Sequence, residues 1–135
     1  MATFAQDHDR HLQPYFAIPS VSAVLHTGNI RLAREQTRHV VNHAQDRVLF
    51  VDASPAKVVA DLAGEIPTVE HVVVIGDGGE APPLPGRAIG YEDLLASASE
   101  RGLADRPGEE MAAGPCYTSG TTGEPKGVPY SHRSL

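Results

Sequence analysis

Two short segments of the sequence are apolar on both faces of an extended chain, and they constrain the fold most strongly. Arg47 to Asp52 and His71 to Gly76 are each dominated by β-branched, aromatic or leucine side chains. Strands that are apolar on both faces are typical of parallel sheets covered by helices. The 135 residues suffice for one hydrophobic core. We therefore predict an α/β fold, a partial parallel sheet with covering helices.

Segments with helical spacing alternate with these strands, as in a strand-helix-strand series. Between the two strands, Ser54 is placed to cap a helix and Pro55 suits its first position. The other predicted elements are a helix from Asp7 to Tyr15 interrupted near Pro14, with Leu12, Tyr15 and Phe16 on its apolar side; a strand from Ala23 to Thr27; a helix from Ala33 to Ala44 with Val40 and Val41 inward; an exposed loop at 76–86; a short helix from Tyr91 to Ala98; and a strand from Ala112 to Tyr117.

Charge and composition exclude several classes of function. The net charge is −6 and no basic patch is present, which argues against nucleic acid and anionic membrane surfaces as partners. Cys116 is the single cysteine, so no intrachain disulfide forms, and its apolar strand predicts a buried, inert thiol. No apolar run is long enough to span a membrane, and the first residues lack the features of a signal peptide. These features predict a cytoplasmic location.

The segment from Thr118 to Gly127, which we call the phosphate-loop segment, is the strongest functional signal. Its three glycines allow close approach of backbone N–H groups to a ligand, its hydroxyls donate hydrogen bonds, and Lys126 supplies a positive charge. It is not a Walker A loop, because Pro125 and Gly127 stand where Gly and Ser or Thr are required. A flexible linker is the weaker alternative, since Pro-Lys-Gly between two apolar strands has no use in a linker.

Two other groups of residues suggest metal sites less convincingly. His39 and His43 are four residues apart on a predicted helix, but Val40 replaces the catalytic Glu of a zinc-protease motif. Two solvated histidines are the favoured interpretation. Asp77 to Glu80 lacks the ligand spacing of a calcium loop, and we predict a surface turn there.

The phosphate-loop segment resembles the loop of the adenylate-forming (AMP-binding) superfamily, Thr-Ser-Gly-Thr-Thr-Gly-x-Pro-Lys-Gly, at all nine fixed positions. Val128 to Ser134 is similar to the continuation found in fatty-acyl-CoA synthetases, although Pro129 replaces a strand residue. Further segments resemble medium- and long-chain fatty-acyl-CoA synthetases in particular: Arg10 to Pro19, Ala23 to Thr27, Asn42 to Ala44, and Asp46 to Asp52.

The resemblance implies an ATP-dependent, AMP-forming ligase that joins a fatty acid to coenzyme A through an acyl adenylate. The residues implied to wrap the β- and γ-phosphates of ATP are Thr118, Ser119, Gly120, Thr121, Thr122 and Gly123, with Lys126 neutralising the phosphates. The resemblance also implies a hydroxyl contact to Mg²⁺, from Thr118 or from a neighbouring hydroxyl of the loop. No catalytic residue of the family maps onto this chain.

Enzymes of this superfamily are several times longer, so the resemblance predicts that residues 1–135 form an incomplete N-terminal domain whose C-terminal remainder is absent. The isolated chain is then expected to be inactive and to self-associate through exposed strand edges. The alternative is a non-catalytic remnant that binds a nucleotide or a partner chain.

Overall fold

The structure is a computed structural model that describes residues 1–76, 83–99, 107–118 and 124–135. Its elements in chain order are β1 (Ala2–Phe4), α1 (Asp9–Ser20), β2 (His26–Thr27), α2 (Arg34–Ala44), β3 (Val48–Asp52), α3 (Ala56–Asp61), β4 (His71–Ile75), β5 (Arg87–Gly90), α4 (Tyr91–Ser97), β6 (Ala112–Thr118) and β7 (Lys126–Ser131). None of the helices in these ranges is long and apolar enough to cross a membrane.

A five-stranded parallel sheet forms the centre of the molecule. Its strand order is β2-β1-β3-β4-β5, and every neighbouring pair runs parallel. The two segments that the sequence marks as buried strands, β3 and β4, pair along their whole length, from Val48 opposite His71 to Asp52 opposite Ile75. The predicted α/β fold with a parallel sheet and covering helices is confirmed.

Helices cover both faces of the sheet, and alternate residues of one strand enter different cores. Leu49 and Val51 of β3 lie in a cluster with side chains of α2 and α3. Val48 and Phe50 pack instead against the opposite cluster, which contains Tyr91 of α4. Because both faces of β3 are covered, its near-continuous apolar sequence is required by the fold.

The helix between β3 and β4 begins later than its sequence predicts. Pro55, not Ser54, is the N-cap residue, and no side chain caps the helix. Val59 and Leu62 are buried as the helical spacing predicts, whereas Val58 is exposed. The α2 prediction is confirmed, since Val40 and Val41 are both buried.

The first helix differs most from its prediction. It runs through Pro14 and Pro19 without interruption, and Pro14 and Ile18 form its buried side. The side chains predicted to be its apolar face are exposed, at 57% for Leu12, 47% for Tyr15 and 68% for Phe16. Pro14 is therefore buried inside the helix although it cannot donate the backbone hydrogen bond of its turn.

Strand prediction missed β1 and β5, and it made β2 too long. β1 lies between β2 and β3, and its three residues are fully or almost fully buried. Three residues are too few for a period to be recognised in the sequence. Residues 77–82 of the predicted loop at 76–86 lie outside the described residues. The predicted turn from Asp77 to Glu80 lies within this same undescribed range.

The last two strands form an antiparallel hairpin, β6–β7, beside the edge strand β2. Pro115 and Pro129 lie directly opposite each other. Because neither proline has an N–H, this is a pair that exchanges no ladder hydrogen bonds, and Pro129 therefore removes none. The prediction of a buried Cys116 is wrong, since this residue is exposed; both faces of a two-stranded hairpin cannot be covered by one neighbouring sheet.

Candidate functional site

The open end of the β6–β7 hairpin carries the predicted phosphate-binding residues. Thr118, the last residue of β6, lies directly opposite Lys126, the first residue of β7, and both side chains are exposed. We call this pair the hairpin mouth. The other predicted phosphate-binding residues, Ser119, Gly120, Thr121, Thr122 and Gly123, lie outside the described part of the chain.

Tyr117 attaches the β6 side of the mouth to the rest of the molecule. Its ring lies 4.7 Å from the ring of His26 and makes an edge contact with His43, and its hydroxyl is 2.8 Å from His43 Nδ1. Gly127 faces Tyr117 across the hairpin, and a Cβ at Gly127 would lie 2.9 Å from Cζ of the tyrosine ring. Glycine at this fixed position of the motif therefore lets Tyr117 extend across β7 towards α2.

His39 attaches the β7 side of the mouth to the same helix. Its Nε2 is 3.2 Å from the carbonyl oxygen of Pro125, and its Nδ1 is 3.2 Å from a carboxylate oxygen of Glu124. Pro125 itself is buried. The predicted solvent exposure holds for His43 and partly for His39, which is half-buried; the prediction missed that both rings also bind the hairpin.

His26, which packs against Tyr117, is itself paired with a buried carboxylate. His26 Nδ1 lies 2.6 Å from Asp46 Oδ2, and each side chain is 2% exposed. Burial, and then the negative charge of Asp46, raise the pKa of Tyr117 above its ordinary value. Tyr117 therefore stays protonated well above neutral pH, and its hydroxyl can donate to His43.

The chemistry of the mouth suits an anion. An exposed ammonium group on one strand faces an exposed hydroxyl on the other. Lys126 provides a mobile positive charge and three donors, and Thr118 provides an oxygen that can donate to a phosphate or bind a hard cation. A polyphosphate with its metal ion needs groups of both kinds.

The sequence singles out Thr118 and Lys126 as candidates, but it does not indicate the residues that support them. These are Tyr117, His26, Asp46 and the two α2 histidines. The signal for His39 and His43 was present, because their spacing places both rings on one face of the helix. Their partners, however, lie 74 and 86 residues away in the sequence. Only the fold brings them together.

Solved structures show to which class this architecture belongs. An anthranilate CoA ligase, AuaEII, in complex with anthranoyl-AMP superposes with a TM-score of 0.87 over 98% of this chain and 24% of that chain, at 26% sequence identity. The fold is that of the N-terminal region of adenylate-forming enzymes, which confirms the resemblance in the sequence.

The chain belongs to the AMP-binding enzyme family, whose model matches residues 2–135. It is 42% identical over 135 residues to a long-chain-fatty-acid–CoA ligase from Thermus thermophilus. This alignment covers all of this chain and 24% of the relative. It is 40% identical to a medium-chain-fatty-acid–CoA ligase from Ectopseudomonas oleovorans, over 98% of this chain and 24% of the relative. The chain thus spans about a quarter of the length of these relatives.

Proposed function

We propose that this chain is the phosphate-binding part of an ATP-dependent, AMP-forming ligase that activates a fatty acid and transfers it to coenzyme A. The observation that carries the proposal is the pairing of Thr118 with Lys126 at the hairpin mouth, at the two ends of a loop sequence that matches the family motif. Membership of the AMP-binding enzyme family supports ATP as the nucleotide.

Within this proposal, residues 118–123 surround the β- and γ-phosphates of ATP and Lys126 binds the same phosphates. The physical need is charge dispersal, because a carboxylate must approach the α-phosphate of a molecule that is already strongly negative. Lys126 is exposed, and it lies on a strand whose preceding residue binds α2, so its ammonium group is accessible to the phosphates.

Mg²⁺ fits the same end of the hairpin. Thr118 offers an exposed hydroxyl oxygen, the type of ligand that Mg²⁺ accepts alongside phosphate oxygens and water. When bound, the ion would neutralise phosphate charge and orient the polyphosphate. Thr118 would then bind the ion while Lys126 binds the phosphates from the opposite strand.

The names of the relatives support the remaining parts of the proposal. Two of them are a long-chain and a medium-chain fatty-acid–CoA ligase, which makes a fatty acid and coenzyme A the proposed co-substrates. Residues 1–135 would form part of the N-terminal domain of such an enzyme. A cytoplasmic location is part of the same proposal.

Calorimetric titration of the chain with MgATP tests the assignment. We expect weak but measurable binding that Lys126→Ala abolishes, because that substitution removes the positive charge at the mouth. Lys57→Ala is the matched control, since Lys57 is the only other lysine and lies on α3. Binding that is indifferent to Lys126→Ala, or equally sensitive to both substitutions, would contradict the proposal.

A further inference from the structure

Two histidines on one face of α2 hold both sides of the hairpin mouth. Their rings are stacked, with centroids 5.6 Å apart and an interplanar angle of 27°. His43 binds Tyr117 just before Thr118, and His39 binds Glu124 and Pro125 just before Lys126. Both strands at the mouth are thus bound to the same helix, which fixes their separation.

Glu124 is an unexpected residue at this place. It occupies the variable position of the motif, two residues before Lys126, and its side chain is 71% exposed. An unpaired carboxylate so close to the lysine would weaken the binding of a polyphosphate, because like charges repel. His39 is the group that lies against this carboxylate.

The contacts of His39 place Glu124 beside α2. Its Nε2 lies 3.2 Å from the carbonyl oxygen of Pro125, and its Nδ1 lies 3.2 Å from the Glu124 carboxylate. While these contacts hold, the Glu124 side chain lies against the helix. His43 Nδ1 can accept a hydrogen bond from the Tyr117 hydroxyl, which fixes the opposite strand to the same helix.

We propose that His39 is a positioning residue of the nucleotide site, which holds Pro125 and the Glu124 carboxylate against α2 and so keeps that negative charge away from phosphates bound at Lys126. The inference rests on the proposed function, since it assumes that a polyphosphate binds at the hairpin mouth. Nothing in the motif itself requires a histidine on a helix more than 80 residues before it.

A double-mutant cycle with MgATP as the titrant tests the proposal. The four proteins are the unmodified chain, His39→Gln, Glu124→Gln and the double variant. Glutamine keeps one N–H for the Pro125 carbonyl but loses the ring contact that holds Glu124, so the released carboxylate should weaken binding roughly two- to fivefold, the range of exposed ion pairs. In the Glu124→Gln background the same substitution should have no effect. His71→Gln, an exposed histidine at the start of β4, should change nothing.

Glu124→Gln alone gives an independent result that does not alter α2. If His39 holds the carboxylate away from the phosphates, this substitution should change the affinity for MgATP by less than about twofold, because an exposed charge that is held apart from the ligand is screened by solvent. A fivefold tightening would show that the carboxylate still opposes binding of the phosphates, and would overturn the proposal.

Two further results distinguish this inference from the proposed function. If His39→Gln is equally damaging in both backgrounds, or harmless in the unmodified chain, while Lys126→Ala still abolishes binding, the inference is wrong and the proposed function stands. If MgATP binding does not depend on Lys126, the proposed function fails and the inference fails with it. Circular dichroism of each variant confirms that the fold is retained.

Discussion

Substituting Gly114 by alanine should detach the hairpin from the parallel sheet. Gly114 lies in β6 where this strand passes the edge of the sheet, and a Cβ added there would be 2.5 Å from the carbonyl oxygen of Leu25. The neighbouring contact is the hydrogen bond from Leu25 N to Ala113 O, at 2.8 Å. Because the obstructing atom belongs to the backbone, no change of side-chain rotamer can relieve the overlap.

The expected cost follows from three contributions. Overpacking costs about 1–3 kcal/mol, and loss of the Leu25–Ala113 hydrogen bond costs about 1 kcal/mol. Alanine recovers about 0.5–1 kcal/mol, since it is less flexible than glycine in the unfolded chain. The free energy of unfolding should therefore fall by about 1–3 kcal/mol, which lowers the melting temperature by roughly 3–10 °C for a chain of this size.

Urea unfolding followed by circular dichroism measures this change. Gly108→Ala is the matched control, because a Cβ at Gly108 would make only an ordinary contact, 3.7 Å from Met111 Cγ. We expect the control to stay within about 0.5 kcal/mol of the unmodified chain. Equal stability of the two variants would refute the claim that β6 is held on β2 by close backbone approach.

Two further predictions follow from the structure. Burial raises the pKa of Tyr117. The contribution of its protonated hydroxyl to stability is therefore fully present below about pH 10, the ordinary tyrosine pKa, and is lost as the pH rises from there through the raised value. Between about pH 8 and pH 11, Tyr117→Phe should lose less stability than the unmodified chain, whereas Tyr130→Phe on β7 should lose as much as the unmodified chain. Phe16 is 68% exposed on the same helix as the exposed Leu12 and Tyr15, so the chain should self-associate through these apolar side chains. Phe16→Ser should reduce the self-association more than Val58→Ser does. A single monomeric species of the unmodified chain in sedimentation velocity would contradict this prediction.

The sequence predicted the buried strands well and the short or edge strands poorly. β3 and β4 are covered on both faces, so their whole sequence is apolar and unmistakable. β1 has three residues and β2 has two, and such lengths carry no recognisable period. β1 is nevertheless central, because its position between β2 and β3 depends on pairing partners and not on its own sequence.

The errors at Leu12, Phe16 and Cys116 have a common physical cause. Each prediction assumed that an apolar residue on a regular element is covered by another element. In the described structure the outer side of α1 and the side of the β6–β7 hairpin that carries Cys116 have no such cover. A pattern of apolar residues predicts which side of an element can be buried, but not whether a neighbour is there to bury it.

The candidate site also contains one part that the sequence predicts and another part that depends on the fold. A phosphate-binding loop must present successive backbone N–H groups and a nearby lysine, so its residues are contiguous and its sequence is recognisable. Its supports have no such constraint. Tyr117, His26 and His43 meet through the fold, and their sequence positions show no common pattern that could have been recognised beforehand.

The supports also connect nucleotide binding with the stability of the whole chain. Three groups that lie outside the motif hold the hairpin: Leu25, the residue before β2; His26, against the Tyr117 ring; and the two histidines of α2. A ligand that binds only the correctly held hairpin stabilises that arrangement by about 2.7 kcal/mol when its concentration is 100 times the dissociation constant. This gain is similar to the cost expected for Gly114→Ala. Saturating MgATP should therefore restore much of the stability that Gly114→Ala removes, because the ligand and the contacts that hold the hairpin favour the same arrangement of the hairpin.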